Sequence, residues 1–284
     1  MAQATSGRQT AEDAAIASAV EAVVSESVRP TTDSSERGVL GIDIGGSGIK
    51  GNLVHPDTGD LIGERQKIST PHPATPEAVA EVVAEMVAHF DYRGTVGATF
   101  PAIVKKGMTL SAANVDPSWI GTDAAALFER VAKRPFVVVN DADAAGIAEQ
   151  AFGAARGRHG VVILLTFGTG IGSALLNDGV LVPNTEFGHL NFAGHDSVED
   201  WAAASVKTGE RLSWKEWAKR VDRFLVHLDR LFSPDLFVIG GGVSRKWEKY
   251  GEHFTVDVDL VPARFENEAG IVGAAMAASR RPPS

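Results

Sequence analysis

From residue 38 onward, short apolar runs alternate with glycine-rich breaks and longer amphipathic stretches, the pattern of strands interleaved with helices. Val39–Ile44 and Ile49–His55 are apolar runs joined by Gly45-Gly46-Ser47-Gly48, which predicts a hairpin; Leu61–Ile68 adds a third antiparallel strand. Thr75-Pro76 opens a helix, with Thr as N-cap and Pro at the first helical position. Its face Val79, Val82, Val83, Met86, Val87 and Phe90 keeps helical spacing. Val96–Phe100 reads as a strand and Asp123–Ala132 as a helix. Phe136–Val139 reads as a buried strand ending at Asn140-Asp141, and the next helix ends near Gly153.

The opening then recurs. Val161–Thr166 and Ile171–Leu176 flank Phe167-Gly168-Thr169-Gly170, and setting Asp43 against Thr166 aligns the two glycine turns at an offset of 123 residues. Two units of one design predict two lobes with a cleft between them. Further on, Ser213-x-x-Glu216 is a capping box for a long helix that buries Trp217, Val221, Phe224, Leu225, Leu228 and Phe232. Asp235–Ile239 is a strand leading into Gly240-Gly241-Gly242, and Ala269–Ala278 is a closing helix of small residues. The expected organisation is an extension over 1–37, one lobe over 38–139 with 268–284, and a second over 140–267.

Composition narrows the class. A chain of 284 residues has room for about two domains; 44% apolar and 22% charged residues suit a soluble globular enzyme. The absence of cysteine excludes disulfides, thiolate nucleophiles and Cys-ligated metals. A net charge of −9 gives no global attraction to nucleic acid or an anionic membrane. No apolar run approaches the roughly 20 residues of a membrane span, and no secretory signal is visible, so the cytoplasm is the expected location. Residues 1–37 are rich in Ala, Ser, Thr and Glu and lack large anchoring side chains, so a mobile extension is expected there.

Three glycine turns after strands suit phosphate binding, because backbone N–H groups can approach oxygens that a Cβ would hold off; a tight hairpin is the plainer reading of each. None fits GxxxxGK[ST]. Asp43, at the end of an apolar strand, suits a metal or its bound water, or else a turn. Lys50 can pair with Asp43 or with a phosphate. Asn140-Asp141 ends a buried strand, where ligand crevices open. Asp141 can take a proton from a substrate hydroxyl and Asn140 can bond neighbouring hydroxyls; otherwise both cap the next helix, a task for which Asp143 is better placed. Glu186 and His189 can hold vicinal sugar hydroxyls or, with His195, ligate a metal.

Taken together, Asp43-Ile-Gly-Gly-Ser47, Leu165-Thr-Phe-Gly-Thr-Gly-Ile-Gly172, Glu186-Phe-Gly-His189 and Ile239-Gly-Gly-Gly242 resemble the ROK sugar kinases, and more narrowly their actinobacterial polyphosphate-using branch. The resemblance spans about residues 38–279. It implies an α/β, two-lobed actin-like ATPase fold of ribonuclease-H type with sugar bound in the cleft. On that basis Asp141 is the catalytic base for the sugar 6-hydroxyl, and Asn114, Asn140, Glu186, His189 and Glu199 contact the hexose, with Asp200 replacing Glu199 if the register slips by one. Asp43, Gly45, Gly46 and Ser47 match the first phosphate motif. Thr166, Gly168, Thr169 and Gly170 match the second, and Gly241 and Gly242 belong to the third turn. Mg²⁺ is expected near Asp43, directly or through water.

The departures matter too. The CxCGxxGC cluster typical of ROK members is missing, so no structural zinc is expected and His189 is left to the sugar. Only 37 residues precede the fold, which argues against a DNA-binding regulator. Pro101-Ala102 replaces the usual Pro-Gly. The expected partners are a hexose, glucose or mannose, with ATP and inorganic polyphosphate as donors; a homodimer is common in such proteins. A polyanionic donor needs a local basic track on an acidic protein. Lys105-Lys106, Arg156 and Arg158 with His159, Lys207, and Arg245-Lys246 with Lys249 are the candidates, Arg245 and Lys246 first because they follow the third turn. A strictly ATP-dependent glucokinase and a non-catalytic sugar sensor are the competing readings.

Overall fold

The computed structural model describes residues 38–112 and 115–279. The expected extension over 1–37 and the candidate Asn114 lie outside them.

The first apolar runs pair as predicted. β1 (Val39–Ile44) and β2 (Ile49–Val54) are antiparallel with Asp43 opposite Lys50, and β3 (Leu61–Ile68) completes the meander. α1 (Pro76–His89) starts where Thr75 accepts a hydrogen bond from Ala78 N–H. It returns the chain to β4 (Val96–Phe100), which is buried throughout and parallel to β1. A small hairpin of β5 (Val104–Lys105) and β6 (Met108–Thr109) and then α2 (Ala124–Ala132) lead to β7 (Phe136–Asn140), parallel to β4. The sheet runs β3-β2-β1-β4-β7.

α3 (Asp141–Phe152) follows β7 without a loop. The scheme then repeats with β8 (Val161–Phe167), β9 (Ile171–Asn177) and β10 (Val180–Val182) as the meander. Helices α4 (Glu199–Ala202), α5 (Ala204–Gly209) and α6 (Trp214–Phe232) precede β11 (Leu236–Gly240) and β12 (Asp259–Pro262), both running parallel to β8. The order β10-β9-β8-β11-β12 reproduces the first sheet strand for strand. α7 (Ala269–Ser279) ends the described chain.

Each sheet has its own core. Leu40, Ile42, Val83 and Met86 pack with Phe100, Trp119, Phe128 and Phe136 on the first. Phe167, Trp217, Phe224, Leu225 and Tyr250 form the second, under the α6 face that the capping box introduces. α3 and α7 join the two halves through Ile147, Phe152, Ile271, Val272 and Met276. Small residues make this join unusually close: a Cβ on Gly97 of β4 would collide with the Ala274 carbonyl oxygen, and one on Gly273 with that of Ala144. Backbone therefore lies directly against backbone, and side-chain volume there has nowhere to go. No helix among the described residues is long and apolar enough to cross a membrane.

Candidate functional site

The end of β7 sets the site. Asn140 is extended (φ −63°, ψ 151°) and is the N-cap of α3, its Oδ1 accepting from Ala142 N–H at 2.8 Å and Asp143 N–H at 3.1 Å. Its Nδ2 donates to Ala102 O at 3.1 Å. The capping role expected of Asp143 thus falls to Asn140. The helix begins at Asp141, too early for Asp143 to act as its cap. Asp143 is instead buried and accepts from Asn184 N–H at 2.8 Å.

Asp141 forms part of the wall of a cavity of about 660 Å³, whose sides come from both sheets: Gly45, Pro101 and Ala102 from one half, the Gly168–Gly170 turn, Glu186 and Glu199 from the other. Asp141 is exposed, but to the two cavities it lines, whose walls displace much of the bulk water around it. That desolvation pushes its carboxyl up to about 6; the Ala142 N–H pulls the other way, and the charges of Asp43 and Glu186 add to the rise. Burial likewise lifts Asp143 to about 6, against the pull of the Asn184 N–H.

Four expected sugar ligands, Asn140, Glu186, His189 and Glu199, line the same cavity. His189 lies 3.9 Å from Glu186 through Nδ1 and 3.6 Å from Glu199 through Nε2. Burial raises the Glu186 carboxyl, partly offset by His189. Glu199 also accepts from Ile171 N–H at 3.0 Å. It reaches that bond because residue 170 is glycine, where a Cβ would strike the Glu199 carboxylate. Asp200 is exposed and outside the cavity wall, so the register places Glu199 there.

Asp141 and Thr166 also line a second, smaller cavity of about 220 Å³, with Asp43, Lys50, Gly240, Gly241, Glu266 and Gly270. Asp43 is held from two sides: Thr99 Oγ1 donates to Oδ1 at 2.9 Å and Lys50 Nζ lies 3.2 Å from Oδ2. Lys50, left open by the sequence, is therefore Asp43's partner in this structure. Gly45 and Gly46 line the larger cavity with Gly168, Thr169 and Gly170, while Ser47 is exposed at the hairpin tip. Gly241 takes φ 79° beside Phe167, a left-handed turn that suits glycine. Gly242 and Lys246 are exposed, and Arg245 is ion-paired with Glu266. Thr99, Asn184 and Ser173 hold this site in place, and sequence reasoning singled out none of them.

The chemistry readable here is compartmental. Asp141 sits where a chamber lined by Glu186, His189, Glu199 and two glycine turns meets one bounded by the Gly240-Gly241 turn and the Asp43–Lys50 pair.

Comparison with known proteins identifies the family of the chain. The ROK family model matches residues 39–204. The polyphosphate glucokinase of Mycobacterium tuberculosis strain H37Rv is 50% identical over 245 residues, covering 86% of this chain and 92% of that protein. The inorganic polyphosphate/ATP-glucomannokinase of Arthrobacter sp. strain KM superposes with a TM-score of 0.80 at 48% identity, covering 85% of this chain and 98% of that one. A ROK family glucokinase from Streptomyces griseus, solved with glucose and AMPPNP, shares the fold with a TM-score of 0.74 at 24% identity over 86% and 99% of the two chains.

Proposed function

The chain belongs to the ROK family, and from that premise we propose how its actin-like fold works as a glucokinase that draws its phosphoryl group from inorganic polyphosphate or ATP. The two repeated sheets with their helices are its lobes, dividing at 139/140 and again at 267/268. The observation that carries the mechanism is the position of Asp141 on the shared wall of the two cavities.

The larger cavity holds the hexose, with Glu186, His189 and Glu199 taking its hydroxyls and Asn140 bonding through the donor hydrogen that Ala102 leaves unused. Asp141 accepts the proton of the 6-hydroxyl as that oxygen attacks the terminal phosphorus; the donor's bridging oxygen leaves with the rest of the chain. Gly45 N–H and Gly168 N–H close their own turns on Gly48 O and Gly170 O, and the N–H groups of Gly46, Thr169, Gly170 and Gly241 hold the donor's oxygens. Mannose, differing only at the 2-hydroxyl, is a second acceptor. The cytoplasm, where the donors are, is its place of action, and a homodimer its expected state.

Mg²⁺ suits the smaller cavity. This ion keeps several waters and takes one or two carboxylates plus substrate phosphates, and Asp43 and Asp141 both face that space. When bound, it neutralises charge on the donor phosphates. Asp43 would hold it, directly or through water, with Thr99 fixing the carboxylate's orientation.

Formation of sugar 6-phosphate from glucose or mannose, with ATP or polyphosphate and Mg²⁺, tests the whole reading. Product with polyphosphate supports it, product with ATP alone reduces it to an ordinary glucokinase, and no product from any pair favours a sugar sensor. Two further outcomes are specific. With Asp141 acting ionised and its carboxyl raised to about 6, kcat/KM for the hexose should fall about tenfold per unit as pH drops below 6 and level off above it. A profile flat down to pH 4.5 would remove Asp141 as the base. Raising salt from 50 to 200 mM should cost about tenfold with polyphosphate and far less with ATP, because a long polyanion meets more of the exposed lysines, Lys246 and Lys249 among them. An equal response to both donors would count against a basic track.

A further inference from the structure

Asn184 stands between β10 and the turn that carries Glu186 and His189, in a left-handed conformation with φ 59°. Its side-chain amide answers both backbone groups of one residue in the other half of the molecule. Val104 N–H donates to Oδ1 at 2.8 Å, and Nδ2 donates to Val104 O at 2.9 Å. The amide thus does for β5 what a neighbouring strand would do. Its own N–H is held by buried Asp143.

What lies on either side of this clamp is the hexose cavity. Thr185 is fastened to β9, with Ser173 Oγ donating to Thr185 O at 2.6 Å and Thr185 Oγ1 donating to Ser173 O at 3.2 Å. Phe187 N–H donates to Ser173 Oγ at 3.0 Å, so Glu186 sits between two anchored neighbours. On the opposite wall, Pro101, Ala102 and Ser111 face the same cavity. Ile103 N–H donates to Ser111 Oγ at 3.0 Å, and Ala102 O is held by Asn140. Asn140 is the cap of α3, and Asp143 lies in its first turn. The bonds therefore close a ring, from α3 to Ala102, along the chain to Val104, across to Asn184, and back to α3 through Asp143. Asp141 lies within the α3 turn that closes it.

We propose that Asn184 is a positioning residue that couples the Glu186–His189 wall to the 101–111 wall, so that both close on the hexose as one body and keep water from the phosphoryl group beside Asp141. This rests on the hexokinase reading. Uncoupled walls still fold, because one is closed by its own β5–β6 hairpin and the other is fastened to β9 through Ser173, but they no longer present a preformed seat.

The variant Asn184→Gly removes both side-chain bonds while accepting φ 59° without strain. The free variant should lose amide-exchange protection in peptides covering 101–111 and 183–189 and nowhere else, a readout that needs no enzymatic activity. In turnover, the hexose KM should rise about tenfold with kcat within about threefold and donor KM unchanged, and a larger share of donor should be lost to water. Unchanged protection in both segments, or an unchanged hexose KM and hydrolysis share in a variant that melts like wild type, overturns the assignment. In wild type, glucose should slow exchange in the two segments together. Protection of only one of them overturns it as well, even if the variant does not fold. Failure of wild type to phosphorylate any hexose would instead strike the functional reading, leaving the exchange result to decide the clamp.

Discussion

Replacing Asp141 with Asn is expected to lower kcat about 10³-fold, within the range that a positioned general base contributes, while glucose binds with near-normal affinity. The asymmetry follows from what the carboxylate does. An Asn side chain keeps an oxygen to accept the Ala142 N–H that Asp141 Oδ1 now accepts at 2.8 Å, so the start of α3 and the cap at Asn140 are undisturbed. It also removes a negative charge from a site already crowded by Asp43 and Glu186, which relieves rather than strains the fold. Only the proton acceptor is lost. Initial rates with saturating donor, paired with calorimetric glucose binding, separate the two effects. A variant within tenfold of wild-type turnover would show that proton removal is not what Asp141 supplies.

The second large effect concerns stability. Gly→Ala inside a helix ordinarily helps by about 1 kcal/mol. At Gly273 the sign reverses, because the added methyl would run into the carbonyl oxygen of Ala144, a backbone atom that cannot rotate aside. α3 and α7 must separate to admit it, and overpacking of this kind costs about 3 kcal/mol. Gly273→Ala should therefore lower Tm by about 6–12 °C. Gly209, at the end of α5, supplies the control: nothing lies within 4 Å of its would-be Cβ, so Gly209→Ala should leave Tm unchanged or slightly raised. Equal melting of the two variants would refute the close crossing. Because α3 carries Asp141 and α7 lies on β1 and β4, the Gly273 variant should also lose activity at temperatures well below its melting point.

Much of the fold is legible in the sequence, for identifiable reasons. Strands of five or more residues carry enough period-two or all-apolar signal to be seen, and the glycine turns mark where they end. Strands β5, β6, β10 and β12, of two to four residues, are too short to carry a period. The exchange of roles between Asn140 and Asp143 shows a different limit. Both are good capping residues, and a helix start displaced by three residues transfers the role from one to the other. Asn184 follows a proline in what reads as a turn; its importance lies in a partner 80 positions away, which no local pattern announces. Arg245 is similar, since its pairing with Glu266 depends on how β12 returns the chain. Residues whose work is done on their neighbours in sequence could be read, and those whose work is done across the fold could not.

The aromatic residues have a practical consequence. Of the five tryptophans, Trp119 alone belongs to the first half, fully buried against Phe100 at 4.3 Å, while Trp201, Trp214, Trp217 and Trp247 gather in the second around Tyr250 and Phe192. Nature has in effect labelled the halves with separate optical reporters. A chain keeping only Trp119, its other indoles changed to phenylalanine, would report emission from the core of the first half alone, and the complementary chain from the second. Whether the halves melt together or in sequence then becomes a question a fluorimeter can answer.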